Sequence, residues 1–167
     1  MHLAAFVTTA MDYRIQLKRR EQQETLQSHW LAPVSINNRG PFLFAVEPSR
    51  YRTLVTARIV EDLGVAVDEL PNALAISDNL AYPLLRLQSF AVGSAILNDF
   101  EIVVWGWPAI SVQTLAEMEP DTLYPLGNDP LTPITSIMEC RGVLGSDFLR
   151  HFKVCFDFST ETLVLQR

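Results

Sequence analysis

A chain of 167 residues, 49% hydrophobic and 19% charged, suits one domain around a single core and excludes a disordered chain. The formal net charge of −6 argues against a nucleic-acid partner, because no basic stripe is available to meet phosphates. No apolar run approaches the ~20 residues of a membrane-spanning helix, and residues 1–10 lack the positive leading region of a secretory signal, which leaves a cytoplasmic location by default.

In chain order, residues 12–29 are polar and rich in Gln, Glu, Arg and Leu, which predicts an N-terminal helix with Tyr13, Ile15, Leu17 and Leu26 available to dock. Lys18-Arg19-Arg20, followed by Glu21 and Glu24, reads as the solvated face of that helix. Residues 1–31 are thus set apart as a polar helical arm ahead of a domain at 32–167. A strand is expected at 33–36, and Asn37-Asn38-Arg39-Gly40 supplies turn residues that tolerate positive φ. A second strand returns over 42–46.

Ile59, Val60 and Leu63 share one helical face, and Gly64 suits the C-terminal cap of a helix over 56–63. Pro71, Asp78-Asn79 and Pro83 predict irregular chain over 65–83. Strands over 84–92 and 95–105 flank a turn at Gly93-Ser94, with Ile96, Phe100, Ile102 and Val104 as one apolar set. Five prolines mark 106–133 as a long connector, and Trp105, Trp107 and Tyr124 around it suit core packing or an aromatic contact surface. A short helix over 145–152 leads into a closing hairpin, in which Cys155 reads as a small buried hydrophobe and Asp157 as a strand-face or turn residue. The sum is a mostly β domain with two short helices and one N-terminal helix.

Common chemistries find little support. His2, His29 and His151 follow no metal-ligand spacing, and Cys140 and Cys155 have none either, so no metal is expected. Gly93-Ser94-Ala95 lacks the glycine pattern of a nucleophile elbow. No glycine-rich phosphate loop exists, and no cofactor is expected.

Two blocks of sequence carry a resemblance. The first is the hairpin from Val34 to Val46, containing Gly40-Pro41-Phe42-Leu43-Phe44, which leads into Glu47-Pro48-Ser49 and on to Leu63-Gly64. The second is Gly142-Val143-Leu144-Gly145-Ser146-Asp147-Phe148-Leu149, continued by Phe152, Val154, Asp157, Leu163 and Leu165. In this order they resemble the retropepsin-like aspartic protease family over residues 32–167, with a weakly matched middle. The resemblance implies a closed β-barrel and a homodimer in which each subunit supplies one Asp from an Asp-Thr-Gly triplet.

In that family the two carboxylates share a proton and a water, one serving as base and the other as acid. Here Glu47 stands where the Asp is expected and adds a methylene. Pro48 removes the bracing hydroxyl and an N–H, and Ser49 adds a side chain where glycine allows close approach. Arg50 and Tyr51 replace small residues, and the segment matching the family's glycine-rich flap, 65–83, contains only Gly-free sequence beyond Gly64. The implied site is a degenerate cleft floored by Glu47, Pro48, Ser49, Arg50 and Tyr51, open to a peptide or protein ligand. The alternative is a homodimeric aspartic-type endopeptidase with Glu47 as the catalytic carboxylate. Gly145 and Asp147 belong to the structural motif, with Asp147 expected as an N-cap-like acceptor for the short helix.

Overall fold

The computed structural model describes residues 11–21, 28–66, 70, 72–77, 80–105, 110–111 and 141–167. Twelve strands and two short helices are defined there: β1 Asp12–Gln16, β2 Lys18–Glu21, β3 Ser28–Ile36, β4 Arg39–Val46, β5 Leu54–Thr56, α1 Ala57–Asp62, β6 Asn72–Ser77, β7 Leu80–Val92, β8 Ala95–Trp105, β9 Ile110–Ser111, β10 Gly142–Leu144, α2 Ser146–Leu149, β11 Lys153–Asp157 and β12 Thr162–Gln166. Six of the strands form a closed barrel in the order β3-β4-β10-β5-β8-β7, and the pairing of β7 with β3 completes the circuit. A separate sheet, β1-β12-β11, flanks it. This is the mostly β closed barrel expected from the sequence.

Local chemistry explains the joints. Asn37 and Asn38 adopt φ of 48° and 64°, the left-handed pair that turns β3 tightly into β4. Gly64, at φ 78°, follows α1 and donates its N–H to the Glu61 carbonyl at 2.8 Å, while Ile59 and Val60 are buried beneath the helix. The turn at Gly93-Ser94 joins β7 to β8 where it was expected.

Apolar residues alternate between two clusters along the barrel strands. Phe44, Val55, Ile102 and Leu144 belong to the larger cluster, which also holds Phe90, Phe100 and Phe148 with ring centroids 5.1 to 5.9 Å apart. Their neighbours Ala45, Leu54, Val103 and Val143 belong to a smaller cluster on the opposite strand face. Leu31, Ala45, Val143, Leu54, Val103 and Leu84 are register partners in succession, forming one apolar row across six strands. Every side chain in the row is buried.

Several expectations are corrected. The helix predicted over 12–29 is replaced by extended chain at β1, β2 and the start of β3. Tyr13, Ile15 and Leu17 face the core at every second position, and Tyr13 and Ile15 lie opposite Leu165 and Leu163 of β12. That period of two outweighs a helix-favouring composition. Leu26 lies outside the described residues, as do residues 106–109 and 112–133 of the connector, Trp107 and Tyr124 among them.

The irregular segment expected at 65–83 contains β6 and the start of β7, paired antiparallel. Pro83 is accommodated opposite Ala73, between the stretch of β7 that pairs with β9 and the stretch that pairs with β8. Ile96 is 49% exposed and does not join Phe100, Ile102 and Val104. Asp99, at φ 57°, lies between them, and buried positions change phase there from Ala95 and Leu97 to Phe100 and Ile102. Cys155 is exposed, on the face of β11 opposite Val154 and Phe156.

Candidate functional site

β4 ends at Val46 and delivers Glu47 to a turn that continues to Thr53. The Glu47 N–H extends the barrel pairing by donating to the Leu144 carbonyl at 3.0 Å. The Arg50 N–H then closes the turn on the Glu47 carbonyl at 3.0 Å. Pro48 and Ser49 project outward and are exposed, as is Tyr51. Arg50 points inward, only 7% exposed, and its Nε donates to Glu47 Oε2 at 3.0 Å. The Glu47 carboxylate is therefore engaged by a buried guanidinium three residues further along its own loop.

The second half of the loop is fastened to α2. Ser146 and Asp147 donate their N–H groups to the carbonyls of Arg50 and Tyr51 at 2.8 and 3.0 Å. In return, the Thr53 N–H reaches both Asp147 carboxylate oxygens at 3.0 Å, and the Thr53 hydroxyl donates to Oδ1 at 2.6 Å. The same hydroxyl oxygen accepts the Gly145 N–H at 3.1 Å. Gly145 is required by proximity: a Cβ there would lie 2.6 Å from the Arg52 carbonyl carbon and 2.9 Å from the Thr53 nitrogen. Arg150 lies over the Tyr51 ring at 6.0 Å from its centre.

Asp147 is buried and sits inside the first turn of α2, where Gly145 holds the N-cap position without a side-chain bond. The N-cap-like role expected for Asp147 is thus corrected. It accepts one helical N–H, from Phe148 at 2.8 Å, while its main partner is Thr53, 94 residues away in sequence. Burial pushes the Asp147 carboxyl above its ordinary value, against the opposing pull of the Thr53 hydrogen bonds and the Arg52 charge. Arg52 Nε stands 3.9 Å from Asp147 Oδ2 and its Nη2 donates to Glu101 at 3.0 Å. Asp157, the expected turn residue, accepts the Ser159 N–H and hydroxyl at 3.0 and 2.6 Å, and these bonds hold its carboxyl below the ordinary value.

The structure thus places Glu47, Pro48, Ser49, Arg50 and Tyr51 on one continuous loop and seats Gly145 and Asp147 directly behind it. Sequence reasoning missed Thr53, Arg52 and Glu101, since nothing near them in the chain announces partners so distant. No group of three or more His, Cys, Asp or Glu side chains able to hold a metal occurs among the described residues. No helix among them is long and apolar enough to cross a membrane.

No protein-family model matches the chain. No curated protein matches it either. Among solved structures, it is similar to a retropepsin-like aspartic protease from Rickettsia conorii, with a TM-score of 0.58 and 15% identity over 95% of this chain and 94% of that one. A likeness of this extent at so low an identity is one of fold. Together with the closed barrel and the loop clasped between β4 and α2, it establishes that this chain has the retropepsin-like fold.

Proposed function

We propose that this chain is a degenerate retropepsin-like domain, noncatalytic, acting as a homodimeric binding or structural module. The loop Glu47 to Tyr51 floors a vestigial cleft in which a peptide or protein ligand is held. The observation that carries this reading is the 3.0 Å bond between Glu47 and the buried Arg50. A carboxylate dyad works when both groups face a common water and exchange a proton with it. Here the only carboxylate in the triplet is committed to its own loop. Pro48 offers no N–H, and Ser49 adds bulk where two such loops would approach each other.

The test is cleavage of a reduced, unfolded protein substrate between pH 3 and pH 7 by the wild type and by Glu47→Gln, with folding checked by circular dichroism. Both proteins are expected to leave the substrate intact. Cleavage by the wild type that disappears in Glu47→Gln would establish the endopeptidase reading instead. Sedimentation velocity checks the assembly: a dimer is expected, and a monomer at all concentrations would remove the homodimer from the proposal.

A further inference from the structure

β11 ends the flanking sheet β1-β12-β11, and among the described residues no strand pairs with its outer edge. Such an edge offers backbone donors and acceptors to another extended chain. Its side chains fall into two sets. Val154 and Phe156 pack inward against the main core cluster, while Lys153 and Cys155 are exposed on the opposite face. Asp157 shares that outer face by alternation. The Asp157 bonds to Ser159 and Thr160 all fall on Oδ1, and no described group donates to Oδ2. Among the described residues, Lys153 has no ion-pair partner. Four residues of strand hold these two charges about 13 Å apart, too far to neutralise each other within one chain.

This strand is its own antiparallel complement. With a second copy laid edge to edge about a two-fold axis at Cys155, Lys153 meets Asp157 at both ends, and Val154 meets Phe156 twice on the inner face. Directly opposed residues share a face, so the apolar underside of the sheet continues across the junction. Phe158, 68% exposed and stacked on Phe156, extends that underside one step beyond the strand. The register is selective. Moving it by one residue sets inward side chains against outward ones. Moving it by two sets Cys155 against one of the charges. Repulsion between two chains of net charge −6 is screened beyond ~8 Å at physiological salt, whereas these pairs are in contact. An unrelated strand would need the same charge spacing and the same apolar residues between, which a second copy carries by identity. We propose, building on the homodimer above, that two copies join through their β11 edges in this register, so that two three-stranded sheets become one. Only Arg150, His151 and Phe152 separate β11 from α2, so this interface adjoins the helix that fastens the Glu47 loop.

The register puts Cys155 opposite its counterpart, still on the solvent face, with Cβ atoms about 4.5–5.5 Å apart and a disulfide within reach after small adjustment. The test uses the full chain with Cys140→Ser, treated with glutathione disulfide at physiological salt and read on a non-reducing gel. A covalent dimer that returns to monomer with dithiothreitol is expected. Moving the thiol to another exposed position, Ile96→Cys with Cys140→Ser and Cys155→Ser, should give at least tenfold less covalent dimer at the same protein concentration and time. Lys153→Glu sets like charges at both ends and should raise the dimer dissociation constant at least fivefold in analytical ultracentrifugation, with folding confirmed by circular dichroism. A dimer whose Cys155 cross-links no faster than the Ile96→Cys control, or whose affinity is unchanged by Lys153→Glu, would overturn the β11 interface and leave the homodimer standing. A monomer at every concentration would overturn both.

Discussion

The most searching perturbation of this architecture is Asp147→Ala, behind the loop and not in it. The carboxylate accepts the Thr53 N–H on both oxygens, the Thr53 hydroxyl at 2.6 Å and the Phe148 N–H at 2.8 Å. Hydrogen bonds to a charged group are worth roughly 1.5–3 kcal/mol each, and a buried N–H left without an acceptor costs about 1–3 kcal/mol. Relief of the cost of burying a carboxylate opposes these losses. The net destabilisation expected for Asp147→Ala is about 3 kcal/mol. With a urea m-value of about 2 kcal/mol/M, the unfolding midpoint should fall by about 1.5 M. The assay is equilibrium urea unfolding followed by tryptophan fluorescence, at one protein concentration because any assembly would add to apparent stability. Asp147→Asn should cost less, since three of the four contacts fall on Oδ1, which an amide oxygen reproduces. A midpoint for Asp147→Ala within about 0.25 M of wild type, or about 0.5 kcal/mol, would refute the idea that this carboxylate holds the loop in place.

The pH dependence of the same site has a definite sign. Because burial raises the folded-state value of Asp147 above 3.8, the native state binds more protons than the unfolded state between the ordinary and the raised values. Wild type should therefore lose stability relative to Asp147→Asn as pH rises through that window, measured by urea unfolding at several pH values; the opposite trend would contradict the raised value. Gly145→Ala sets a Cβ against backbone and not a yielding side chain; a loss of about 1–3 kcal/mol is expected, visible as a lower thermal midpoint. In a Cys140→Ser background, exposed Cys155 should react fully with Ellman's reagent in the native protein, whereas a thiol silent until urea is added would place it in the interior.

Much of the barrel was legible because its joints are local. Asn37-Asn38, Gly64 and Gly93-Ser94 announce their turns in two or three residues, and the hydrophobic hairpin before Glu47 has no competing reading. The misreadings have physical causes of a different range. In β1, the inward alternation of Tyr13, Ile15 and Leu17 is short, and polar partners with high helix propensity mask it. On β8, a single left-handed residue, Asp99, reverses which side chains face inward, and no periodicity rule anticipates it. For Cys155, alternation correctly gave two strand faces but could not say which one is covered. The site divides the same way: the triplet and its neighbours were visible as a run of unusual residues, while the Thr53–Asp147 clasp joins opposite ends of the chain and became visible only in three dimensions.

That clasp separates what the architecture needs from what chemistry would need. The backbone path from Glu47 to Thr53 is held by main-chain bonds to Leu144, Ser146 and Asp147 and by the Thr53 side chain. Among the triplet's own side chains, only Glu47 contributes, through Arg50. The loop can thus keep its shape while the side chains at positions 47 to 49 change. Conversely, a triplet exchanged for Asp-Thr-Gly would arrive on a mount already built, and any activity it lacked would have to be sought in its surroundings.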